Sequence, residues 1–224
     1  MSSTITAADF HQHPDLSDWR VLLRRAEALF KGNSFADGAA FVGRIAEAAD
    51  RAGHHPDVNL RYPGLVHVAL TTHAVGGLTA ADVALARSIS EIARDGALAV
   101  VSQDCTTVEI AIDAIDIAAV LPFWKAVMGY QDELPQAPGA QVTGLYDPRR
   151  IGPAVWFQQM DTPRPQRNRI HIDVTVAHDV AGRRVAAGIE AGGHLVSDDA
   201  ARAFWVLADP EGNEACICTW QDRD

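Results

Sequence analysis

Apolar and polar positions recur with two different periods along this chain, and the changes of period mark out its elements. Over 35–52 the period is helical. Ala39, Val42, Ile45, Ala46 and Ala49 return at three- and four-residue spacing, while Arg44, Glu47 and Asp50 fall largely elsewhere. Gly53 is the residue type that closes a helix in the left-handed region. Val58 to Thr72 reads as extended chain broken by Pro63-Gly64. In its second part Val66, Val68 and Leu70 point one way and His67, Ala69, Thr71 and His73 the other, so the histidine set is expected on the open face of a sheet. Gly76-Gly77 turns the chain, and Thr79 to Asp82 opens a second helix with Leu85, Ile89 and Ile92 as its apolar stripe. The stretch from Trp19 to Phe30 has a period compatible with strand or helix, and KGNSF (31–35) is a turn. This order predicts an α+β unit over residues 1–98, an antiparallel sheet with helices on one face.

The signals change around 94–104, and a second unit is expected over 104–222. VEIAIDAID (108–116) reads as a strand and turn, IAAVLPFWKAVM (117–128) as a helix closed by Gly129, LPQAPGAQ (134–141) as a loop and AVWFQQM (154–160) as a strand. After a connector, DTPRPQRN (161–168), a second round follows: strand 169–176, helix 180–193 and a hairpin over 204–220.

Composition narrows the function classes. A content of 48% hydrophobic and 21% charged residues is that of an ordinary globular protein, and 29 acidic against 19 basic residues give a formal charge of −10. Such a surface repels phosphate backbones and anionic lipid, so neither nucleic acid nor membrane is expected as a partner. No apolar run reaches the ~20 residues of a membrane span, and the N-terminus lacks a basic start and an apolar core. Cys105, Cys216 and Cys218 form neither a disulfide framework nor a CxxC pair. A cytoplasmic location is expected.

The candidate chemistry lies in histidine. His54-His55-Pro56 leaves a helix end, His73 stands at a strand end, and Asp82 opens the next helix. Imidazole gives and takes protons near neutral pH, so rings converging on one cleft suit a proton-transfer enzyme. Three histidines and an acid also suggest zinc, but neighbours on an extended segment point apart, which argues against His54 and His55 sharing one ion. On spacing alone Asp82 is a helix-capping residue, three positions after Thr79. Tyr62 is placed to stack on a planar ligand or to sit half-buried on its strand.

These residues resemble the pterin-4a-carbinolamine dehydratase family over about 17–95. The resemblance is carried by His54-His55-Pro56, Tyr62, the strand V-H-V-A-L-T-T-H ending at His73, and G-L-T-A-A-D ending at Asp82, with Trp19 and FKGNSFADGAAF upstream. It implies loss of water from 4a-hydroxytetrahydropterin to give quinonoid dihydropterin, in the recycling of tetrahydrobiopterin, with pterin as substrate and no metal required. It further implies His54, His55, His73 and Asp82 as catalytic residues. His54 and His73 would carry protons, His55 would position, and Asp82 would orient an imidazole. Trp19, Tyr62 and Thr72 would contact substrate, and a homo-oligomer is expected. The chain departs from the family pattern before the histidine pair, where the nearest acid is Asp50, and after the proline, where Asp57-Val58 replace an aromatic.

The second unit resembles the vicinal oxygen chelate, or glyoxalase-like, superfamily over about 105–221. The marks are Asp116, Phe123, Trp124, Gly129 and Tyr130, together with D-P-E-G-N from Asp209 to Asn213. The resemblance implies paired βαβββ modules but not an activity, because this fold hosts many. Its metal-using members would place ligands at Glu109, His171 and Cys216. A thiolate beside a carboxylate does not suit Mg²⁺ or Mn²⁺, though zinc accepts it, and two alternate cysteines on one strand also fit a core. No metal is expected in this unit. The reading is therefore a hydro-lyase acting by histidine acid–base chemistry in the first unit. The alternative is a metal-dependent glyoxalase-like enzyme or small-ligand binder acting through the second.

Overall fold

A computed structural model describes residues 3–133, 141–163 and 170–222. The chain divides into two compact units, Met1–Thr107 and Val108–Asp224. The loop expected over 134–141 and the connector expected over 161–168 lie largely outside the described residues.

In the first unit a short helix α1 (Ala7–His11) precedes strands β1 (Arg20–Leu22) and β2 (Arg25–Lys31), helix α2 (Phe35–Ala52), strands β3 (Asp57–Arg61) and β4 (Leu65–Leu70), helix α3 (Ala80–Asp95) and a two-residue strand β5 (Ala99–Val100). The ambiguous stretch from Trp19 to Phe30 is thus a hairpin. All pairings are antiparallel, in the order β1-β2-β4-β3, with β5 added to β2.

The alternation predicted for β4 is present: Val66, Val68 and Leu70 are fully buried, beside Ala26, Ala28 and Phe30 of β2. These residues share one core with Phe41, Ile45 and Ala49 of α2 and Leu85, Ala86 and Ile89 of α3. Burying such side chains stabilises each by about 1.5–3 kcal/mol relative to exposure, which is why the helices lie on this face. Gly64, in the turn between β3 and β4, lies so close to the Ser34 carbonyl that a side chain there would collide with it. That approach sets the start of α2 against the sheet.

The opposite face is less open than the alternation predicts. Glu27 is buried, Ala69 is 3% exposed, and His67 Nε2 lies 3.1 Å from Glu27 Oε2. Ser102 accepts from the Leu29 N–H, and Thr107 donates to Glu27 Oε1, so residues 102–107 lie against this face. A buried carboxylate must be hydrogen-bonded or paired. His67 serves that need, and the histidines of this set are not gathered on one face.

The second unit repeats one module. Strand β6 (Glu109–Ala114), helix α4 (Ile117–Met128) and strands β7 (Gln131–Asp132), β8 (Gly144–Tyr146) and β9 (Ala154–Gln159) form the first copy. Strand β10 (Ile172–Thr175), helix α5 (Ala181–Glu190) and strands β11 (His194–Ser197), β12 (Phe204–Ala208) and β13 (Glu214–Cys218) form the second. In each sheet the first strand lies parallel to the fourth, and the other pairings are antiparallel. The paired βαβββ modules are as the sequence predicts.

The D-P-E-G-N turn links the two copies. Buried Asp209 accepts from Trp124 Nε1 at 3.0 Å and from the backbone of Glu211 and Asn213. Glu211 in turn accepts from the N–H groups of Ile115 and Asp116 ahead of α4. The residues that carry the glyoxalase-like resemblance are therefore fold-holding contacts. Among the described residues no helix is long and apolar enough to cross a membrane.

Candidate functional site

Two helix ends build the site in the first unit. At the end of α2, Gly53 takes a left-handed conformation (φ 59°, ψ 29°), its N–H bonds to Asp50 O, and the His54 N–H bonds to Ala49 O. This paired closure uses carbonyls that the helix end leaves without partners, and it fixes the backbone from which His54 projects. At the start of α3, Thr79 and Asp82 form a capping box: Asp82 Oδ2 accepts the Thr79 N–H at 2.7 Å. The capping role expected for Asp82 from spacing is present.

The same carboxylate does more. His54 Nε2 lies 2.7 Å from Asp82 Oδ1, with the imidazole side chain 14% exposed and the carboxylate wholly buried. Asp82 Oδ2 also receives the Thr72 hydroxyl at 2.7 Å. The Thr79 hydroxyl, which accepts from the Ala81 N–H, lies 2.8 Å from that of Thr72. Two donors, the Thr79 N–H and the Thr72 hydroxyl, converge on Oδ2, and an ionised Asp82, which only accepts, takes its bond at Oδ1 from the His54 Nε2–H. The lone pair of neutral His54 is then on Nδ1. A carboxylate hydrogen-bonded to an imidazole fixes its tautomer and its ring orientation.

The remaining predicted residues are distributed around this pair. His55 Nε2 lies 2.9 Å from Asp50 Oδ1, both side chains being exposed. The nearest acid before the histidine pair is thus the partner of His55 in space. His73 is exposed in a tight turn closed by the Thr72 N–H to Gly77 O bond, directly after the threonine that grips Asp82.

The three expected substrate contacts lie in three different settings. Trp19 is fully buried, its Nε1–H donating to Ser90 Oγ at 3.1 Å and its ring edge-on to Phe30, so it is a core residue. Tyr62 is 88% exposed beyond the Arg61 end of β3, whereas the histidine pair precedes the Asp57 end. The Thr72 hydroxyl is committed to Asp82. In each case one-dimensional spacing could not tell a core, edge or network position from a ligand contact.

In the second unit the expected ligand set is half met. His171 and Cys216 come together, but Glu109 lies exposed on β6 and outside the group; Asp173 takes the third place. The ligand atoms of His171, Asp173 and Cys216 all lie within 4.8 Å of one another. An H-x-D pair on a strand places both side chains on one face, a signal that identifies Asp173 from sequence. Burial first, and then the Asp173 carboxylate beside it, push the Cys216 thiol up to about 11. The group lines a cleft of about 790 Å³.

Comparison with known proteins follows this division. The family model for pterin 4 alpha carbinolamine dehydratase matches residues 3–92, and that for a glyoxalase-like domain matches residues 109–218. A protein of Nocardia farcinica, provisionally named pterin-4-alpha-carbinolamine dehydratase, is 46% identical over 80 residues, which are 36% of this chain and 83% of that one. One from Thermosynechococcus vestitus, provisionally named in the same way, is 39% identical over 94 residues, 42% of this chain and 98% of its own. A crystal structure described as a transcriptional coactivator/pterin dehydratase from Brucella melitensis is 26% identical and covers 41% of this chain and 99% of its own, with a TM-score of 0.38. Through its first unit the chain belongs to the pterin 4 alpha carbinolamine dehydratase family, and a glyoxalase-like domain follows in the same chain.

Proposed function

We propose that the first unit dehydrates 4a-hydroxytetrahydropterin to quinonoid dihydropterin, as a hydro-lyase in tetrahydrobiopterin recycling. The observation that carries this reading is the His54–Asp82 pair, with the carboxylate wholly buried and the imidazole 14% exposed. It stands in a chain whose relatives bear the dehydratase name.

The reaction breaks the C4a–O bond and removes one proton from a ring nitrogen, so water leaves and no electrons are exchanged with a cofactor. His54 takes the nitrogen proton on Nδ1, and Asp82 stabilises the imidazolium that forms. His73 delivers a proton to the departing hydroxyl, and its exposure lets it exchange that proton with solvent. His55, held by Asp50, positions the substrate. General acid–base assistance of this kind is worth about 10²–10⁴ in rate. The protein is expected to act in the cytoplasm as a homo-oligomer.

The test uses full-length protein and chemically generated 4a-hydroxytetrahydropterin, with and without chelator. Dehydration should survive the chelator and fall by about 10² or more in His54→Ala and in His73→Ala. Unchanged dehydration by His73→Ala removes the mechanism, and no dehydration by the unaltered protein removes the function.

A further inference from the structure

We propose that Ile5 is a positioning residue for the proton transfer that the dehydratase reading gives to His73, its backbone clamping the turn on which that histidine stands. What the clamp does for catalysis rests on that reading; the clamp itself rests on the fold. The turn after β4 closes on itself. The Thr72 N–H bonds to Gly77 O at 2.9 Å, the Val75 N–H to Thr72 O, and the Gly76 N–H to both Thr72 O and His73 O. Such bonds fix the shape of a turn but not its orientation against the rest of the unit. His73 is exposed, so burial of its own side chain does little to place it.

That orientation is set one residue further on. Leu78 is buried in the core, and its carbonyl accepts the Ile5 N–H at 2.8 Å in an isolated antiparallel bridge. Leu78 stands between Gly77, which closes the His73 turn, and Thr79, which caps α3 together with Asp82. A tie at this residue therefore registers the turn of His73 against the cap of Asp82. Thr4 lies beside Gly77, its Cγ2 3.8 Å from where a side chain at that glycine would begin. The clamp is itself anchored. Thr6, next to Ile5, forms a capping box with Asp9 at the start of α1, and Asp9 Oδ2 accepts the Thr6 N–H at 3.0 Å. Ile5 packs on the core of the first unit, in which Phe10 and Leu16 are buried. Arg87 of α3 then pairs with Asp15, and Trp19 bonds to Ser90 of the same helix, so the segment is fastened along the helix that Asp82 caps. Orientation is where so small a tie counts, because misplacing a reacting group by about 1 Å can cost ~10²-fold in rate.

The test compares Ile5→Pro with Ile5→Ala in full-length protein. Both lose the isoleucine side chain, but only proline lacks the N–H that Leu78 accepts. With chemically generated 4a-hydroxytetrahydropterin, kcat should be about 10-fold lower in Ile5→Pro than in Ile5→Ala at equal KM, the split expected when a group acting in the transition state is displaced. In a His73→Ala background the gap between the two should vanish, because the residue being positioned is gone. Hydrogen exchange reads the clamp apart from activity. The Thr72 and Gly76 amides should lose protection in Ile5→Pro relative to Ile5→Ala, while amides within β4 exchange equally in both. The proposal is overturned by equal kcat in the two variants, by a difference confined to KM, by the gap persisting in His73→Ala, or by exchange that is equal in the turn or quickens as much in β4. Should the unaltered protein not dehydrate the pterin, the dehydratase reading falls, and the exchange comparison by itself upholds or overturns the clamp.

Discussion

His54 Nε2 lies 2.7 Å from Asp82 Oδ1, and this single hydrogen bond ties the residue that leaves α2 to the residue that caps the start of α3. Each end is independently rigid. Gly53 and the His54 N–H close the first helix, and the Thr79 capping box closes the second. The imidazole is oriented by backbone structure on both sides, so little ordering is left to be done when a substrate arrives.

Asp82 therefore has two separable duties. Asp82→Asn should lower kcat for dehydration by about 10² or more, since neutral asparagine cannot stabilise the His54 imidazolium. The same change should lower unfolding free energy by about 1–3 kcal/mol through the damaged cap. Thr72→Val removes one donor from Asp82 but spares the His54 bond. It should cost about 1 kcal/mol and leave KM unchanged, whereas a threonine that touched substrate would raise KM. Urea melts and steady-state rates on the same preparations check both variants.

Trp19→Phe should destabilise the first unit by about 1–3 kcal/mol, because it leaves the buried Ser90 hydroxyl without its indole donor and shrinks a filled site. KM for the pterin should not move. A raised KM at unchanged stability would return Trp19 to the substrate site.

Both Cys105 and Cys216 are pushed up to about 11, chiefly by burial, from an ordinary value of 9.0. A raised thiol pKa favours the neutral form in the fold. Stability is therefore untouched below about pH 9 and falls as pH rises towards 11, where the unfolded chain ionises and the folded one does not. In metal-free native protein at pH 8 both thiols should alkylate about 10²-fold more slowly than in the urea-unfolded chain. Mass spectrometry of timed iodoacetamide reactions measures this, and equal rates would contradict the burial.

Asp209→Ala should destabilise the second unit by about 2–4 kcal/mol, since it strands Trp124 Nε1 and two backbone N–H groups of the turn. Dehydration should be unchanged, as the variant lies in the other unit. Calorimetry that resolves the transitions of the two units, run beside the dehydratase assay, tests this.

Helix α2, the alternation of β4 and the capping box at Thr79 are legible in the chain because each depends on residues within a few positions of one another. A period, a glycine and a hydroxyl three residues before an acid suffice. The paired modules are legible for the same reason, through repeated strand and helix patterns. Asp82 beneath His54, Asp50 beside His55 and Asp173 opposite Cys216 all sit within or next to motifs that the sequence displays. Their partnerships, apart from the local one of Asp50 with His55, are set by how helices and strands pack.

Local spacing, which controls backbone conformation, marks out α2, β4, α3, α4 and the division into two units, but leaves the stretch from Trp19 to Phe30 open and does not reveal β7, β8 or β11. Packing decides that Trp19 is core, that Tyr62 is exposed, that Thr72 serves Asp82, and that Asp173 rather than Glu109 joins His171 and Cys216. Those outcomes turn on which surfaces are buried together and on strand register. Such relations link residues distant in the chain, and of them local pattern carries only the two-residue spacing of His171 and Asp173.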